Sequence, residues 1–292
     1  MRIQQPKPIY LQAESSESLI FKGHHGEIFQ VTVLEEDLIR IQHFPDGKPR
    51  LKRTWSIAGV DGDVPLEGRL RNDLSSFHLP GFTLEQQGNL LQVSTACLQV
   101  QIDPTDCNLV WKSRQTGEPF AADLNRRAYA YDQVGETIFH YMQRRENEHY
   151  YGFGERSGLL DKNGRRMRML NLDALGYNAE TGDPLYKHIP FYITYVPDLK
   201  IAYGLFYDNL SPTVFDLGQE LDNYYGPYRY YQADAGDLDY YLILGPQIAD
   251  VVQKFSKLIG RPALPPRWSL DYLGSSRLYT DAPNAQDELK KF

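Results

Sequence analysis

The stretch that decides the fold is Leu90-Leu91-Gln92-Val93-Ser94, followed by Cys97-Leu98-Gln99-Val100-Gln101-Ile102. In both segments apolar and polar residues alternate with a period of two. That period places one face of a strand in a core and the other face in water. The sequence therefore predicts half-buried β-strands in this region.

The same strand pattern extends from the start of the chain to about residue 245. Residues 28–33 and 38–41 are strand-like and flank the polar break Glu35-Glu36-Asp37, a pattern typical of a hairpin. Further strand-like runs cover residues 190–196, 201–207 and 240–244. Turn residues separate the runs at positions 45–47, 61–63, 87–89, 161–164 and 196–198. Many short strands with regular turns predict a mostly β fold of the sandwich or barrel class.

At residue 246 the pattern changes from strand to helix. Six apolar residues recur at helical spacing and form one stripe: Ile248, Val251, Val252, Phe255, Leu258 and Ile259. Pro246 suits the first helical turn, Gly260 occupies the position of a C-terminal left-handed residue, and Pro262 prevents continuation. The sequence therefore predicts a helix that begins near Pro246 and ends before Gly260.

The residues after this helix have weaker patterns. Residues 265–274 indicate a loop that leads into a short strand, and residues 287–292 look like the opening of another helix. Such an opening either frays or continues in a longer natural protein. We therefore predict a β-domain over residues 1–245 and a second part over residues 246–292.

Composition and charge exclude several classes of protein. The chain has 292 residues, with 31 Lys and Arg against 38 Asp and Glu, and its net charge of −7 argues against a nucleic-acid partner. Hydrophobic residues at 41% and charged residues at 24% are typical of a globular protein. No apolar run approaches the roughly 20 residues that span a bilayer, and residues 1–8 lack the apolar core of a signal peptide. We expect a soluble cytoplasmic protein without a membrane partner.

The aromatic residues are rich in tyrosine, with 21 Tyr against 13 Phe and 3 Trp. Tyrosine combines an apolar ring with a hydroxyl group, which suits a surface that contacts sugars or another hydrated partner. Strands also favour aromatic residues, so a β-rich scaffold alone accounts for the excess. Both interpretations stay open from composition, and the scaffold interpretation is favoured.

No disulfide framework, metal site or cofactor is expected. Cys97 and Cys107 either face each other across a hairpin or remain free and buried, and free buried thiols are favoured. The seven histidines form no zinc pattern. Asp234, Asp237 and Asp239 have a spacing compatible with calcium, but the full calcium-loop pattern is missing, and the segment predicts a tight turn before a strand.

Three groups of polar residues are candidates for function. The segment Gly152-Phe153-Gly154-Glu155-Arg156 lacks the third glycine of a dinucleotide loop, so its glycines indicate close chain approach and its glutamate a structural ion pair. Asn171 and Asp173 either present polar groups to a ligand or, as is more common, cap their own loop. His140 or His149, each with a glutamate, would suit a sugar mutarotase.

Three stretches in order resemble glycoside hydrolase family 31, the family of α-glucosidases and α-xylosidases. The first is Tyr150-Tyr151-Gly152-Phe153-Gly154-Glu155-Arg156, with Asn171-Leu172-Asp173 after it. The second is Asp183-Pro184-Leu185-Tyr186-Lys187-His188-Ile189-Pro190-Phe191-Tyr192-Ile193. The third is Asp239-Tyr240-Tyr241 and then Gly260-Arg261-Pro262-Ala263-Leu264-Pro265-Pro266-Arg267-Trp268. Each stretch alone is a weak signal, whereas the series is specific and covers most of the chain from about residue 90 onward.

The resemblance implies a large antiparallel, galactose-mutarotase-like β-sandwich, followed by a helix and the first βα element of a (β/α)8 barrel. It also implies a retaining mechanism with two aspartates, one a nucleophile and the other an acid and base, roughly 5 Å apart. In this family both aspartates come from the middle of the barrel, which this sequence does not reach. The resemblance therefore assigns no catalytic residue here, and we expect the chain alone to be inactive.

The resemblance also implies a substrate-binding loop. The family's sandwich contributes a loop with an Asn-x-Asp pattern that reaches over the barrel mouth, and Asn171-Leu172-Asp173 matches it. Asp173 is therefore expected to bind sugar hydroxyls, with Asn171 beside it and Tyr279 on the pocket wall. Leu170 stands where the family often has a Trp, which argues against sugar stacking at that position.

These patterns together predict the N-terminal portion of a retaining α-glycosidase, most closely an α-glucosidase that acts on terminal α-linked glucose. Its expected partners are an oligosaccharide substrate, the rest of the barrel and, in a homo-oligomer, a second copy. Two alternatives stay open. One is a stand-alone carbohydrate-binding or mutarotase-like sandwich, and the other is an interaction domain whose tail pairs with another chain.

Overall fold

The computed structural model describes residues 2–271, Asp287 and Lys290. Its regular structure is mostly β-strand, with one α-helix and a short 3-10 helix in the described residues. The strands are β1 (Ile3–Gln4), β2 (Ile9–Glu14), β3 (Ser18–Gly23), β4 (Ile28–Glu35), β5 (Leu38–Phe44), β6 (Arg53–Thr54), β7 (Arg69–Leu70), β8 (Thr83–Gln87), β9 (Leu90–Ser94), β10 (Leu98–Asp103), β11 (Asn108–Ser113), β12 (Pro119–Ala122), β13 (Tyr129–Asp132), β14 (Ile138–Gln143), β15 (His149–Gly154), β16 (Arg166–Met169), β17 (His188–Val196), β18 (Ile201–Tyr207), β19 (Thr213–Asp216), β20 (Tyr228–Ala233) and β21 (Leu238–Leu244). The helices are α1 (Ile248–Ile259) and the 3-10 helix Arg267–Leu270. Within residues 2–271, no helix is long and apolar enough to cross a membrane.

Antiparallel pairing joins these strands into three main sheets. The largest has eight strands in the order β15-β17-β18-β21-β5-β4-β3-β2. A six-stranded sheet has the order β1-β13-β14-β20-β19-β16, and a five-stranded sheet has the order β12-β11-β10-β9-β8. The predicted hairpin over residues 28–41 is confirmed as β4 and β5, and the alternating segments near residue 95 are confirmed as β9 and β10.

One face of the eight-stranded sheet packs against the other two sheets around a shared core. Leu205 and Leu242 come from the eight-stranded sheet, Val100 and Trp111 from the five-stranded sheet, and Ile138 from the six-stranded sheet. All five side chains are fully buried. The prediction of a mostly β, antiparallel sandwich is therefore confirmed.

The opposite face of the eight-stranded sheet is covered by α1. Because side chains alternate along a strand, Phe206 and Ile243 point away from the first core and pack with Phe255 of the helix. The ring of Phe255 stacks on Phe191 with centroids 3.7 Å apart. The helix predicted from apolar spacing is confirmed, and its apolar stripe lies on the sheet.

The two ends of α1 differ in how well they match the prediction. The backbone N–H of Gln247 donates to Asp250 Oδ2 at 3.0 Å, which makes Gln247 the N-cap. Pro246 therefore precedes the helix, and its predicted place in the first turn is wrong. Gly260 ends the helix with a positive φ of 92°, as predicted.

The chain forms two compact units, Met1–Gly260 and Arg261–Phe292, and α1 belongs to the first. A domain boundary at residues 245 and 246 stays a prediction. In the second unit Arg267–Leu270 forms an exposed 3-10 helix within the predicted loop. The helix predicted over residues 287–292 falls almost wholly outside the described residues, and the first βα element of a barrel stays a prediction.

The structure shows the state of the two cysteines and the location of the tyrosines, neither of which follows from composition. Cys97 and Cys107 lie at opposite ends of β10 and are free thiols, so the hairpin disulfide is excluded. Cys107 is buried as predicted, whereas Cys97 is exposed and the prediction of a buried thiol is wrong there. Twelve tyrosines of the described residues are buried, so the β-rich scaffold accounts for most of the tyrosine excess.

Gly152 and Gly154 allow β17 to approach β15 closely, as their sequence context predicts. Both have positive φ, at 122° and 78°. A β-carbon on Gly152 would lie 2.7 Å from the carbonyl oxygen of Phe191, and one on Gly154 would lie 2.8 Å from that of Lys187. Both positions therefore require glycine.

Replacing Gly154 by alanine is expected to lower the free energy of unfolding by about 2–3 kcal/mol, because backbone strain and overlap with a carbonyl oxygen act together. The matched control is Gly164→Ala, which has a similar φ of 75° but open space around the new β-carbon. Its expected loss is about 1 kcal/mol. Urea unfolding of both variants measures the difference, and equal losses would contradict the steric account.

Candidate substrate-binding site

The predicted substrate-binding loop connects β16 to β17 and spans residues 170–187. Its two ends are held together by hydrogen bonds. Asn171 Oδ1 accepts the backbone N–H of His188 at 2.8 Å, and Leu172 N donates to Leu185 O at 3.3 Å. The 170–187 loop is therefore closed at its base.

Asp173 lies near the start of this loop with an exposed side chain. Its backbone oxygen accepts the N–H of Leu175 at 3.0 Å. Its carboxylate has no hydrogen-bond or ion-pair partner among the residues that the structure describes. A capping aspartate would use its carboxylate on nearby backbone N–H groups. Within the described residues, the carboxylate of Asp173 therefore does not cap the loop, and both of its oxygens are open to an external donor.

Asn171 and His188 form the base of the loop. The carbonyl oxygen of the Asn171 side chain is occupied by the bond to His188, so its amide N–H groups are the part available to a ligand. Burial and the nearby charge of Arg156 lower the pKa of His188, which keeps its ring neutral at pH 7. The base of the loop is thus polar without a histidine charge.

Two ion pairs support the loop from the Gly152–Arg156 segment. The buried Arg156 lies with Nη1 3.4 Å from Asp183 Oδ1. Glu155 pairs with Lys187, Oε1 to Nζ at 3.3 Å, on the exposed surface. The structural interpretation of Glu155 is confirmed, with Lys187 as partner rather than the adjacent arginine.

Sequence reasoning missed the exposed apolar side chains of the loop. Leu175, Tyr177 and Tyr186 are 64%, 55% and 45% exposed. Tyrosine rings are suited to pack on sugar faces while their hydroxyl groups remain hydrated. The tyrosine excess was the available signal, but composition alone does not separate these two rings from the buried ones. Tyr279, the third predicted site residue, lies outside the described residues.

Within residues 2–271, the two histidines considered for a mutarotase pair with aspartate rather than with glutamate. His140 is buried, with Nε2 2.9 Å from Asp123 Oδ1. Its ring stacks between Tyr129 and Tyr240, at centroid distances of 4.9 and 4.7 Å. His149 pairs with an aspartate of the following turn at 2.7 Å. The arrangement of His140 is that of a structural core network, which gives the mutarotase alternative no support.

The three aspartates with calcium-like spacing each have a separate partner. Asp234 pairs with Arg168 at 2.6 Å, Asp237 accepts the backbone N–H of Arg50 at 2.7 Å, and Asp239 pairs with Arg40 at 2.6 Å. In the described part of the chain, no three His, Cys, Asp or Glu side chains are grouped to hold a metal ion. The interpretation as a turn before β21 is confirmed.

Asp237 is expected to make stability depend on pH. Burial, with Asp239 adding to it, raises the pKa of Asp237 to about 6. Because this value exceeds the roughly 3.9 of an unfolded aspartate, the folded state binds the proton more tightly. Its stabilising contribution is complete below about pH 4 and is lost as pH rises through about 6.

Asp237→Asn should therefore raise the free energy of unfolding at pH 8 by about 1–2 kcal/mol and leave it nearly unchanged at pH 4. Urea unfolding at both pH values measures the effect. The control is Asp234→Asn, whose carboxylate is in a partly exposed pair. A gain of the same size at both pH values would contradict the titration of Asp237.

Comparison with known proteins first defines the class of fold. A dextranase of Flavobacterium johnsoniae, solved with glucose, superposes on 92% of this chain with a TM-score of 0.76 and 22% sequence identity. The chain covers 30% of that dextranase. The fold is therefore one that a larger carbohydrate enzyme also contains.

The family follows from sequence. Residues 28–216, nearly two thirds of the chain, match the "Glycosyl hydrolase 31 N-terminal galactose mutarotase-like domain", and the chain belongs to this family. It is 36% identical over 168 residues to alpha-glucosidase 2 of Bacillus thermoamyloliquefaciens, across 57% of this chain. It is 38% identical over 132 residues to an alpha-glucosidase of Saccharolobus solfataricus, across 45% of this chain. The matches span about a fifth of the length of these relatives.

Proposed function

We propose that this chain is the N-terminal portion of a retaining α-glycosidase, most closely an α-glucosidase that removes terminal α-linked glucose from oligosaccharides. The observation that carries this proposal is the family match over residues 28–216. The identity to two alpha-glucosidases, over about a fifth of their length, supports it further. The catalytic aspartate pair belongs to a barrel beyond the described sandwich, and no carboxylate of this chain is assigned to the chemical step.

Within that enzyme, the 170–187 loop contributes to the substrate pocket. The carboxylate of Asp173, which has no partner among the described residues, accepts two sugar hydroxyls, and the contact is strong and oriented because the acceptor is charged. Asn171 donates through its amide N–H groups from the closed base of the loop. Tyr177 and Tyr186 add exposed rings beside these polar groups. The sandwich thus binds and orients the sugar, and the barrel supplies the bond cleavage.

The test is to express the coding sequence that continues this chain as a single product and to incubate it with a nitrophenyl α-glucoside. We expect hydrolysis, with α-glucose as the first product by proton NMR, because a retaining enzyme keeps the anomeric configuration. A reading frame that stops at Phe292, or release of β-glucose first, would contradict the proposal. A cytoplasmic location and a homo-oligomer stay predictions.

A further inference from the structure

The outer face of the eight-stranded sheet, the face opposite the main core, has an apolar half and a polar half. One cross-strand row runs through Phe206, Tyr241, Arg40, Thr32 and Ser18. Its first two members lie in the cluster that α1 covers. Its last three are polar residues on β5, β4 and β3. The same sheet face therefore changes from apolar to polar along a single row of side chains.

The polar half of this sheet face is covered by a connecting segment, but the space between the segment and the sheet is not filled by side chains. The chain between β5 and β8 passes over it and leaves a cavity of about 590 Å³. The residues that line this cavity from the sheet include Ser18, Gln30, Thr32 and Gln42. Under α1, by contrast, apolar side chains fill the space. A roof that served only stability would be expected to pack on apolar residues in the same way. We call this cavity the β3–β5 groove.

The polar side chains of the β3–β5 groove have free hydrogen-bonding capacity. Gln30 Nε2 donates to Thr32 Oγ1, and Gln42 Nε2 donates to Asp239 Oδ2, both at 3.2 Å. The Oε1 atoms of Gln30 and Gln42 have no partner within residues 2–271. These two residues are directly paired across β4 and β5, which places their β-carbons about 5 Å apart. The groove therefore presents two neighbouring acceptors, beside the hydroxyl donor of Thr32.

The two arginines that line the groove are paired with carboxylates of β21 and of the residue after β18. Arg40 binds Asp239 through two hydrogen bonds of 2.8 and 2.6 Å. Arg71 Nη1 lies 2.7 Å from both Asp208 Oδ2 and Asp239 Oδ2. Glu17 and Lys52 add one charge of each sign to the lining, and each guanidinium already faces a carboxylate. The groove therefore suits a neutral ligand better than a phosphate or a carboxylate.

Apolar side chains complete the lining. Phe44, Leu70 and Leu74 border the polar residues. Leu70 is 49% exposed, so part of its surface is open to a ligand. A neutral ligand with hydroxyl groups on its edges and C–H groups on its faces satisfies both kinds of lining, and this is the chemistry of a sugar ring.

We propose that the β3–β5 groove binds a neutral saccharide of one or two rings, as a site separate from the 170–187 loop. Its volume lies within the roughly 300–1,000 Å³ of small-molecule sites. Four strand steps separate β17, where the loop ends, from β4, a distance of about 19 Å at the usual strand spacing. The groove lies wholly within the described sandwich, so its binding does not depend on the proposed hydrolytic function.

The test is a titration of the 292-residue chain with glucose and with maltose, followed by isothermal calorimetry and by NMR shifts. We expect binding of at least one sugar, weakened at least about tenfold in Thr32→Val and in Gln30→Met, since each loses a hydrogen-bonding group. Leu70→Ser, at an exposed position, should weaken binding without unfolding the chain. Circular dichroism verifies the fold of each variant.

Two control variants distinguish sugar binding in the β3–β5 groove from sugar binding elsewhere on the chain. Gln92→Met removes an amide from the five-stranded sheet, where Gln92 Nε2 bonds Glu85 at 3.2 Å, and should leave binding unchanged. Asp198→Ala, at an exposed position in the turn after β17, should also leave it unchanged. Binding that is lost in Asp173→Ala but kept in the groove variants would overturn the proposal. The absence of binding to both sugars at millimolar concentration would overturn it as well. Neither result bears on hydrolysis by the longer protein.

Discussion

Replacing Asp173 by alanine in the proposed longer glycosidase is expected to raise KM by about 10- to 100-fold while kcat changes much less. The substitution removes the charge-assisted contact with the sugar, and at an exposed site we expect the net contribution of about one such hydrogen bond, about 1.5–3 kcal/mol, which corresponds to this range. The carboxylate has no partner among the described residues, so its removal leaves no protein group unsatisfied. The effect therefore reports on substrate binding rather than on folding. Initial rates across a range of nitrophenyl α-glucoside concentrations measure both constants.

The matched control is Asp198→Ala. Asp198 is an exposed aspartate in the turn after β17, whereas the 170–187 loop enters β17 at its other end. We expect this variant to behave as the unmodified enzyme. Asp173→Asn retains one acceptor oxygen and should lie between the two. An unchanged KM in Asp173→Ala would remove Asp173 from the substrate site.

The second large effect is expected from Arg229→Met, which should lower the free energy of unfolding by about 3–5 kcal/mol. Arg229 and Glu148 are both about 2% exposed, and Arg229 Nη1 lies 2.7 Å from Glu148 Oε2. The same guanidinium donates to the hydroxyl groups of Tyr150 and Tyr203. Its removal leaves the buried Glu148 carboxylate with only the half-exposed Arg145, 4.0 Å away, as a counter-charge, and this cost exceeds the loss of one hydrogen bond.

The exposed pair of Lys187 and Glu155 provides the comparison. Lys187→Met removes a pair whose members are 75% and 44% exposed, and it should change stability by less than about 1 kcal/mol. Adding Glu148→Gln to Arg229→Met should recover a large part of the loss, because the buried negative charge is then gone. Urea unfolding of the four proteins measures this series. Equal losses in Arg229→Met and Lys187→Met would contradict the burial argument.

Individual strands and the helix were predictable because the spacing of hydrophobic residues along the sequence depends only on neighbouring residues. The alternation in Leu90–Ser94 and the apolar spacing in Ile248–Ile259 specify which side chains face a core, and both elements form where they were predicted. The N-cap was less predictable. Pro246 fits a first helical turn by residue type, but the bond from Gln247 to Asp250 decides where the helix begins.

Contacts between distant residues were not predictable from one sequence. Arg229 and Glu148 are 81 positions apart, and nothing in the local pattern of either indicates the other. The β3–β5 groove was also not predictable from the local sequence, because its polar row forms only when β3, β4 and β5 pair in register. The candidate loop was found through the family resemblance. Local chemistry alone favoured a capping role for Asp173, but among the described residues its carboxylate bonds no backbone N–H group.

The central proposal is that the sandwich binds the sugar and the barrel cleaves the glycosidic bond. Its most direct test is an assay of the purified 292-residue chain for hydrolysis of a nitrophenyl α-glucoside. We expect no release of nitrophenol above the buffer blank, because the proposed function assigns sugar binding to this chain and the catalytic aspartate pair to the barrel of the longer protein. Clear turnover that disappears in Asp173→Ala would contradict it, since a residue assigned to binding would then belong to a complete active site.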